Sequence, residues 1–148
     1  MHKIFCIVWI LALMCRASFA QTDTLVQLCY GDCIEIPIPN EFKILETYSR
    51  LNDGLFEAYG YSGTDSSWQG SYVSIIGCHN CQGSENIVDC QEDTIRIIAK
   101  NCILYQCGLQ YKCMITHKYF HIEYVFPIEK YDIFAALIYK LCCLLNIE

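Results

Sequence analysis

The feature that most constrains this chain is its cysteine pattern: twelve cysteines in 148 residues, all but two of them downstream of a leader-like start. Met1–Lys3 is a short basic segment, Ile4–Cys15 is an apolar run without charge, and Ala17-Ser18-Phe19-Ala20 ends in the small residues that a signal peptidase reads. The apolar run is too short to span a bilayer. The expectation is a signal peptide at 1–20, a mature chain beginning at or near Gln21, and a secreted, extracellular protein.

In that compartment an even set of cysteines in a short chain implies a disulfide framework, because a small core stabilises weakly against chain entropy. The set is Cys29, Cys33, Cys78, Cys81, Cys90, Cys102, Cys107, Cys113, Cys142 and Cys143. Zinc is the competing reading, since Cys29-x3-Cys33 and Cys78-x2-Cys81 would supply two thiol pairs to one site. Oxidation removes the thiolates that zinc needs, so neither a metal nor another cofactor is expected. Connectivity stays open at this level.

Loss of Lys3 and Arg16 with the leader leaves eight basic residues against 16 acidic ones, a balance of −8. Nucleic acid and anionic membrane surfaces are poor partners for such a chain. No phosphate-cradling glycine loop is present. His79, His117 and His121 have no evident nucleophile arrangement, so no enzyme is expected.

The pattern along the chain is that of one small β domain. Residues 21–28 read as a polar lead-in. Cys33–Ile38 and Phe42–Tyr48 read as strands of a hairpin around Pro39-Asn40-Glu41, with Pro37 restricting the first to an edge or a strand end. Leu51–Ser71 is rich in turn formers interleaved with Phe56, Tyr59, Tyr61 and Trp68. It reads as a loop whose exposed aromatics serve as a contact surface for sugars or proteins, or as a poorly packed insertion. Tyr72–Ile76 and Thr94–Ala99 are short strands. Cys102 and Cys107 lie close enough in sequence to bridge one turn.

Lys118, Phe120, Ile122 and Tyr124 alternate with Tyr119, His121 and Glu123, the period of a strand with one buried face. Cys113–Tyr124 is thus expected to close the domain and hold Lys118 at a rim. Ile133–Leu145 reads as a docking helix, so membrane association through the tail is not expected. The adjacent Cys142 and Cys143 are left open between thiols and pairing between chains. The expected fold class is mainly β with one or two short helices, a small disulfide-linked antiparallel domain.

Taken in order, these residues resemble the SUEL-type galactose- or rhamnose-binding lectin domain, first named from a sea urchin egg lectin and also found on latrophilin receptors. The family's opening Cys-Glu-Gly, Cys-Pro and Tyr-Gly-Arg correspond to Cys29-Tyr30-Gly31, Ile38-Pro39 and Tyr48-Ser49-Arg50. Its middle corresponds to Cys90, Ile95-Arg96-Ile97, Cys102 and Cys107. Its final Cys-Pro-Gly-Thr-Tyr-Lys-Tyr-Leu corresponds to Cys113–Phe120, followed by Ile122, Tyr124 and Phe126. The resemblance covers 29–126, with 51–77 as an insertion and 127–148 as an apolar tail beyond it.

The resemblance implies the pairs Cys90–Cys113 and Cys102–Cys107, and Cys29–Cys78 with Cys33–Cys81 in one of two possible combinations. One family bridge is missing at both ends, at Ile38 and Phe126. It also implies a secreted carbohydrate-binding module with ligand contacts at Lys118, Tyr48, Arg50, Tyr30, Tyr111 and Thr116. Both sugar-gripping carboxylates of the family are replaced, by Tyr30 and Tyr111, and Ile115 stands where the family has glycine. The alternative is therefore a module of the same fold that has lost sugar binding and engages an extracellular protein.

Overall fold

The structure is a computed structural model that describes residues 23–50, 54–78, 94–99 and 101–147, without side chains at 48–50 and 94–99. The expected signal peptide, His79, Cys81 and Cys90 lie outside the described residues. Among the described residues the strands are β1 (Asp23–Tyr30), β2 (Asp32–Pro39), β3 (Phe42–Arg50), β4 (Gly54–Tyr61), β5 (Tyr72–Gly77), β6 (Thr94–Ala99), β7 (Cys102–Cys107), β8 (Gln110–His117) and β9 (Phe120–Pro127). One α-helix follows, α1 (Tyr131–Leu144). β1 and β2 form a two-stranded sheet, and the others a seven-stranded sheet in the order β3-β4-β5-β9-β8-β7-β6, antiparallel throughout.

Period-two alternation produces the large sheet's covered face. Phe120, Ile122, Tyr124 and Phe126 of β9 are all fully buried. Their direct partners continue the face sideways: Ile75 and Ile115 flank Ile122, and Val73 and Cys113 flank Tyr124. Against this face pack Leu28, Ile34, Ile36 and Ile38 of the small sheet, and Phe134, Leu137, Ile138 and Leu141 of α1. The layers are tied by a buried hydrogen bond, in which the Tyr124 hydroxyl donates to the Pro37 carbonyl at 2.9 Å.

The helix has its apolar residues at 134, 137, 138 and 141, the spacing of one helical stripe. Phe134 stacks on Phe126 at a centroid distance of 4.4 Å with ring planes 2° apart. The helix ends in a Schellman turn: Ile147 N–H donates to Cys142 O, Asn146 N–H donates to Cys143 O, and Asn146 takes a φ of 52°. The expected docking helix is thus present, and no helix among the described residues is long and apolar enough to cross a membrane.

Three sequence expectations about organisation need correction. Cys113–Tyr124 is the β8–β9 hairpin, turned at Lys118-Tyr119, where Lys118 takes a φ of 46°; a two-residue hairpin loop commonly needs a positive φ. β9 lies in the middle of the sheet and does not close it, so His121 and Val125 on its second face are also buried. The 21–28 lead-in contains β1, and β2 pairs with β1 and not with β3. Gly31, with a φ of 68°, supplies the bend that brings them together. Pro37 does sit on an edge strand, where its missing N–H breaks no ladder.

The third correction concerns the expected loop Leu51–Ser71, of which Gly54–Tyr61 is strand β4 of the sheet; the strand expected at Tyr72–Ile76 is present as β5. Tyr59 and Trp68 are buried, because Trp68 packs among Phe42, Tyr61 and Phe134 at centroid distances of 5.8–6.3 Å.

The covalent framework also differs. Cys29 bonds to Cys33, with Cα atoms 4.0 Å apart, in place of Cys29–Cys78 and Cys33–Cys81. The hairpin register sets the two directly opposite one another. Cys102 and Cys113 are thiols, which removes Cys102–Cys107 and Cys90–Cys113. Cys102 and Cys107 occupy opposite ends of the extended β7. At ~3.4 Å per residue that is about 17 Å, well beyond disulfide reach. Cys78 and Cys107 are themselves disulfide-bonded.

Candidate functional site

Two hairpin tips and a helix end meet at one cleft. The β1–β2 tip contributes Asp32, Cys33, Ile34 and Glu35, with Gln27 across the ladder. The β8–β9 tip contributes His117 and Lys118, and the end of α1 contributes Leu144, Leu145 and Asn146; together they line a cleft of about 590 Å³. Each part is placed by a local cause. Gly31 permits the first bend, and the Cys29–Cys33 bond closes the strands behind it. Lys118 sits in the left-handed region at the head of its turn, and Asn146 does so in the helix cap.

The tips are fastened to each other. Lys118 Nζ lies 2.8 Å from Asp32 Oδ2, while Asp32 Oδ1 accepts from the Cys33 N–H at 2.9 Å. The Tyr119 ring lies against Gly31, where a β-carbon would come within 3.0 Å of it, and the Tyr119 carbonyl accepts from the Cys78 N–H. The hydrogen bond from Lys118, then the Cys33 N–H, holds the Asp32 carboxyl below its ordinary range. Its partner raises the Lys118 ammonium in turn. Desolvation, followed by the nearby Lys118 charge, holds His117 below its ordinary 6.5. The cleft therefore presents the ion pair of Asp32 and Lys118, the acidic side chain of Glu35, an imidazole shifted toward its neutral form, and two amides, beside two leucines and an isoleucine.

Of the residues marked by the sequence, Lys118 alone lines this cleft. Tyr30 packs inward, its ring against the backbone of Gly77. Thr116 points from the opposite face of β8, its hydroxyl 3.3 Å from His121 Nδ1. Tyr111 stands at the other end of β8, between Phe126 and Tyr131 at 5.7 and 5.3 Å; six strand steps from His117 are about 20 Å.

Tyr48 and Arg50 lie at the same end of the sheet as Lys118, since the registers run Ser49–Leu55–Gly77–Phe120–His117. Four strand spacings still separate β3 from β8, roughly 19 Å. Their side chains lie outside the described residues.

Sequence reasoning missed Asp32, Glu35, Gln27, His117 and Asn146 as cleft residues. The available signal was Gly31-Asp32 between two cysteines, a turn that projects a carboxylate. Among the described residues no group of His, Cys, Asp and Glu has the arrangement to hold a metal ion. Comparisons with protein-family models, with curated proteins and with solved structures each find no match.

Proposed function

We propose that this chain is a secreted carbohydrate-binding module whose glycan occupies the Asp32–Lys118 cleft. The observation that carries the reading is the facing of Asp32 and Glu35 with Lys118, Gln27 and Asn146 in a cleft of small-ligand size. Vicinal hydroxyls of a pyranose each donate and accept, so they are held by carboxylate acceptors beside ammonium and amide donors. Leu144 and Leu145 offer an apolar wall to the C–H face of the ring. Asp32 takes the part of the carboxylates replaced by Tyr30 and Tyr111, from a different position. Galactosides and rhamnosides are the first ligands to test, following the SUEL-type resemblance.

The cleft, rather than kinship, is the warrant, because the disulfide pairs implied by the resemblance are not formed at Cys29, Cys33, Cys102 and Cys113. A glycan array on the oxidised protein tests the proposal. Millimolar or tighter binding that is lost in Asp32→Asn and Lys118→Ala supports it, and silence across the array overturns it.

A second reading, an extracellular protein-binding module, is favoured by one observation. The edge strand β3 exposes Ile44 and Leu45 at 53% and 58%, the kind of edge to which another chain can add a strand.

A further inference from the structure

β7, β8 and α1 converge on three thiols that take no part in the cleft. Cys102 Sγ lies 3.6 Å from Cys113 Sγ, and Cys142 of the helix, buried in the same cluster, is near enough for its thiol and that of Cys102 to influence one another. All three are buried, while the adjacent Cys143 is exposed. The register explains the meeting. Cys102 stands opposite Ile115 and Cys113 opposite Leu104, so the two cysteines are diagonal neighbours on the covered face. Position 142 adds one more residue to the stripe of 134, 138 and 141 that α1 turns to that face.

A single buried cysteine is ordinarily a small apolar filler. Three that share one sulfur, in a chain with disulfides at Cys29–Cys33, Cys78 and Cys107, call for a different account.

We propose that Cys102 is the common sulfur of a buried disulfide-exchange site, bonding either to Cys113 within the sheet or to Cys142 on the helix, and never to both. Closing 3.6 Å to a bonded sulfur pair requires a movement of about 1.5 Å. The oxidant is a low-molecular-weight disulfide. One protein thiolate attacks it and releases the first small thiol. The second protein thiolate then attacks the mixed disulfide and releases the other. Two protein S–H groups and one external S–S bond thus become one protein S–S bond and two small thiols. Exchange needs no further oxidant: the Cys142 thiolate attacks Cys102 sulfur, and Cys113 leaves as a thiolate and takes up the proton that Cys142 gave.

The two products differ mechanically. Cys102–Cys142 pins α1 covalently to the sheet, whereas Cys102–Cys113 leaves it held by packing and by the ion pair of Lys140 with Asp23 of β1. The hydrogen-bonded contact with Cys113 is the main cause that pushes the Cys102 thiol up to about 12, and the nearby Cys102 thiol, with burial, pushes Cys142 higher still. Thiolate is therefore scarce while α1 is docked, and bond formation belongs to folding or to transient lifting of the helix.

The test is peptide mapping by mass spectrometry of the full chain, refolded in a mixture of reduced and oxidised glutathione, acid-quenched and alkylated. The expected map shows Cys102 bonded to Cys113 or to Cys142. Cys113→Ala leaves only the Cys102–Cys142 bond, and Cys142→Ala only the Cys102–Cys113 bond. In Cys102→Ala both remaining members are alkylated as thiols. Finding wild-type Cys102 alkylated, bonded to any other cysteine, or replaceable by a Cys113–Cys142 bond overturns the proposal. The wild-type map decides by itself if a variant fails to fold.

Discussion

Lys118 Nζ and Asp32 Oδ2, 86 residues apart along the chain, meet at 2.8 Å and join two hairpin tips from different sheets. Each tip depends on a residue with positive φ, Gly31 at 68° and Lys118 itself at 46°. The pair is half exposed, so solvent screens it and its worth to folding is small. Its geometric role is to hold a carboxylate and an ammonium side by side at the mouth of the cleft.

Asp32→Asn and Lys118→Ala are therefore expected to separate binding from stability. Glycan affinity should fall at least about tenfold in each, the loss of a charged hydrogen bond. The urea midpoint should barely move. Isothermal titration alongside urea denaturation checks both halves, and a large loss of stability would show that the pair is structural.

Gly31→Ala acts on the same contact through the backbone. A β-carbon there meets the Tyr119 ring at 3.0 Å, on a residue whose φ of 68° disfavours any side chain. A cost of about 1–3 kcal/mol is expected from the strain, together with weaker glycan binding as the tips part. Urea unfolding measures the first and titration the second. A neutral result in both would mean that the turn can re-form without Tyr119 against it.

The helix docks through Phe134, which is fully buried and stacked on Phe126. Phe134→Ala should cost about 3–5 kcal/mol, the range for emptying an aromatic site in a core. Tyr124→Phe should cost about 1–3 kcal/mol, because the Pro37 carbonyl is left buried without its donor. Calorimetric melting of both variants gives the comparison, with the larger drop expected for Phe134.

His121 predicts a pH dependence. Desolvation holds the imidazole below its ordinary 6.5, with Glu123 opposing and Lys112 adding to the shift. The unfolded chain then binds more protons than the folded one between the depressed value and 6.5. The stability that comes from keeping this ring neutral is complete above 6.5 and is lost as pH falls through 6.5 toward the depressed value. Urea unfolding from pH 8 to 5 should show a steeper loss in the wild type than in His121→Gln, and matching profiles would refute the assignment.

Much of the architecture was legible in local pattern. The short strands at β5 and β6 were marked near their observed limits, alternation marked part of β9 but carried it back through the turn at Lys118, Pro37 marked an edge, and the apolar run from Ile133 marked the helix. The turn at Lys118-Tyr119 was not legible, since neither residue is a usual turn former and the apolar alternation continues through it. β1 was hidden because Thr24, Leu25 and Gln27 are exposed on a two-stranded ribbon, so that strand lacks a buried stripe long enough to register.

The site was legible only at Lys118. A carboxylate opposite it had to come from some turn, and local sequence does not say which turns meet.

What the sequence determined by itself are the quantities that depend on neighbours along the chain: the alternation of strands, the apolar run of the helix, and the acidic balance. Tertiary structure alone decided the sulfur partners and the cleft. Sulfur pairing requires particular Cα separations, and cleft formation requires two tips and a helix end to converge. Both follow from strand register and sheet order, which couple residues as distant as Asp32 and Lys118 through the packed core rather than through the chain between them.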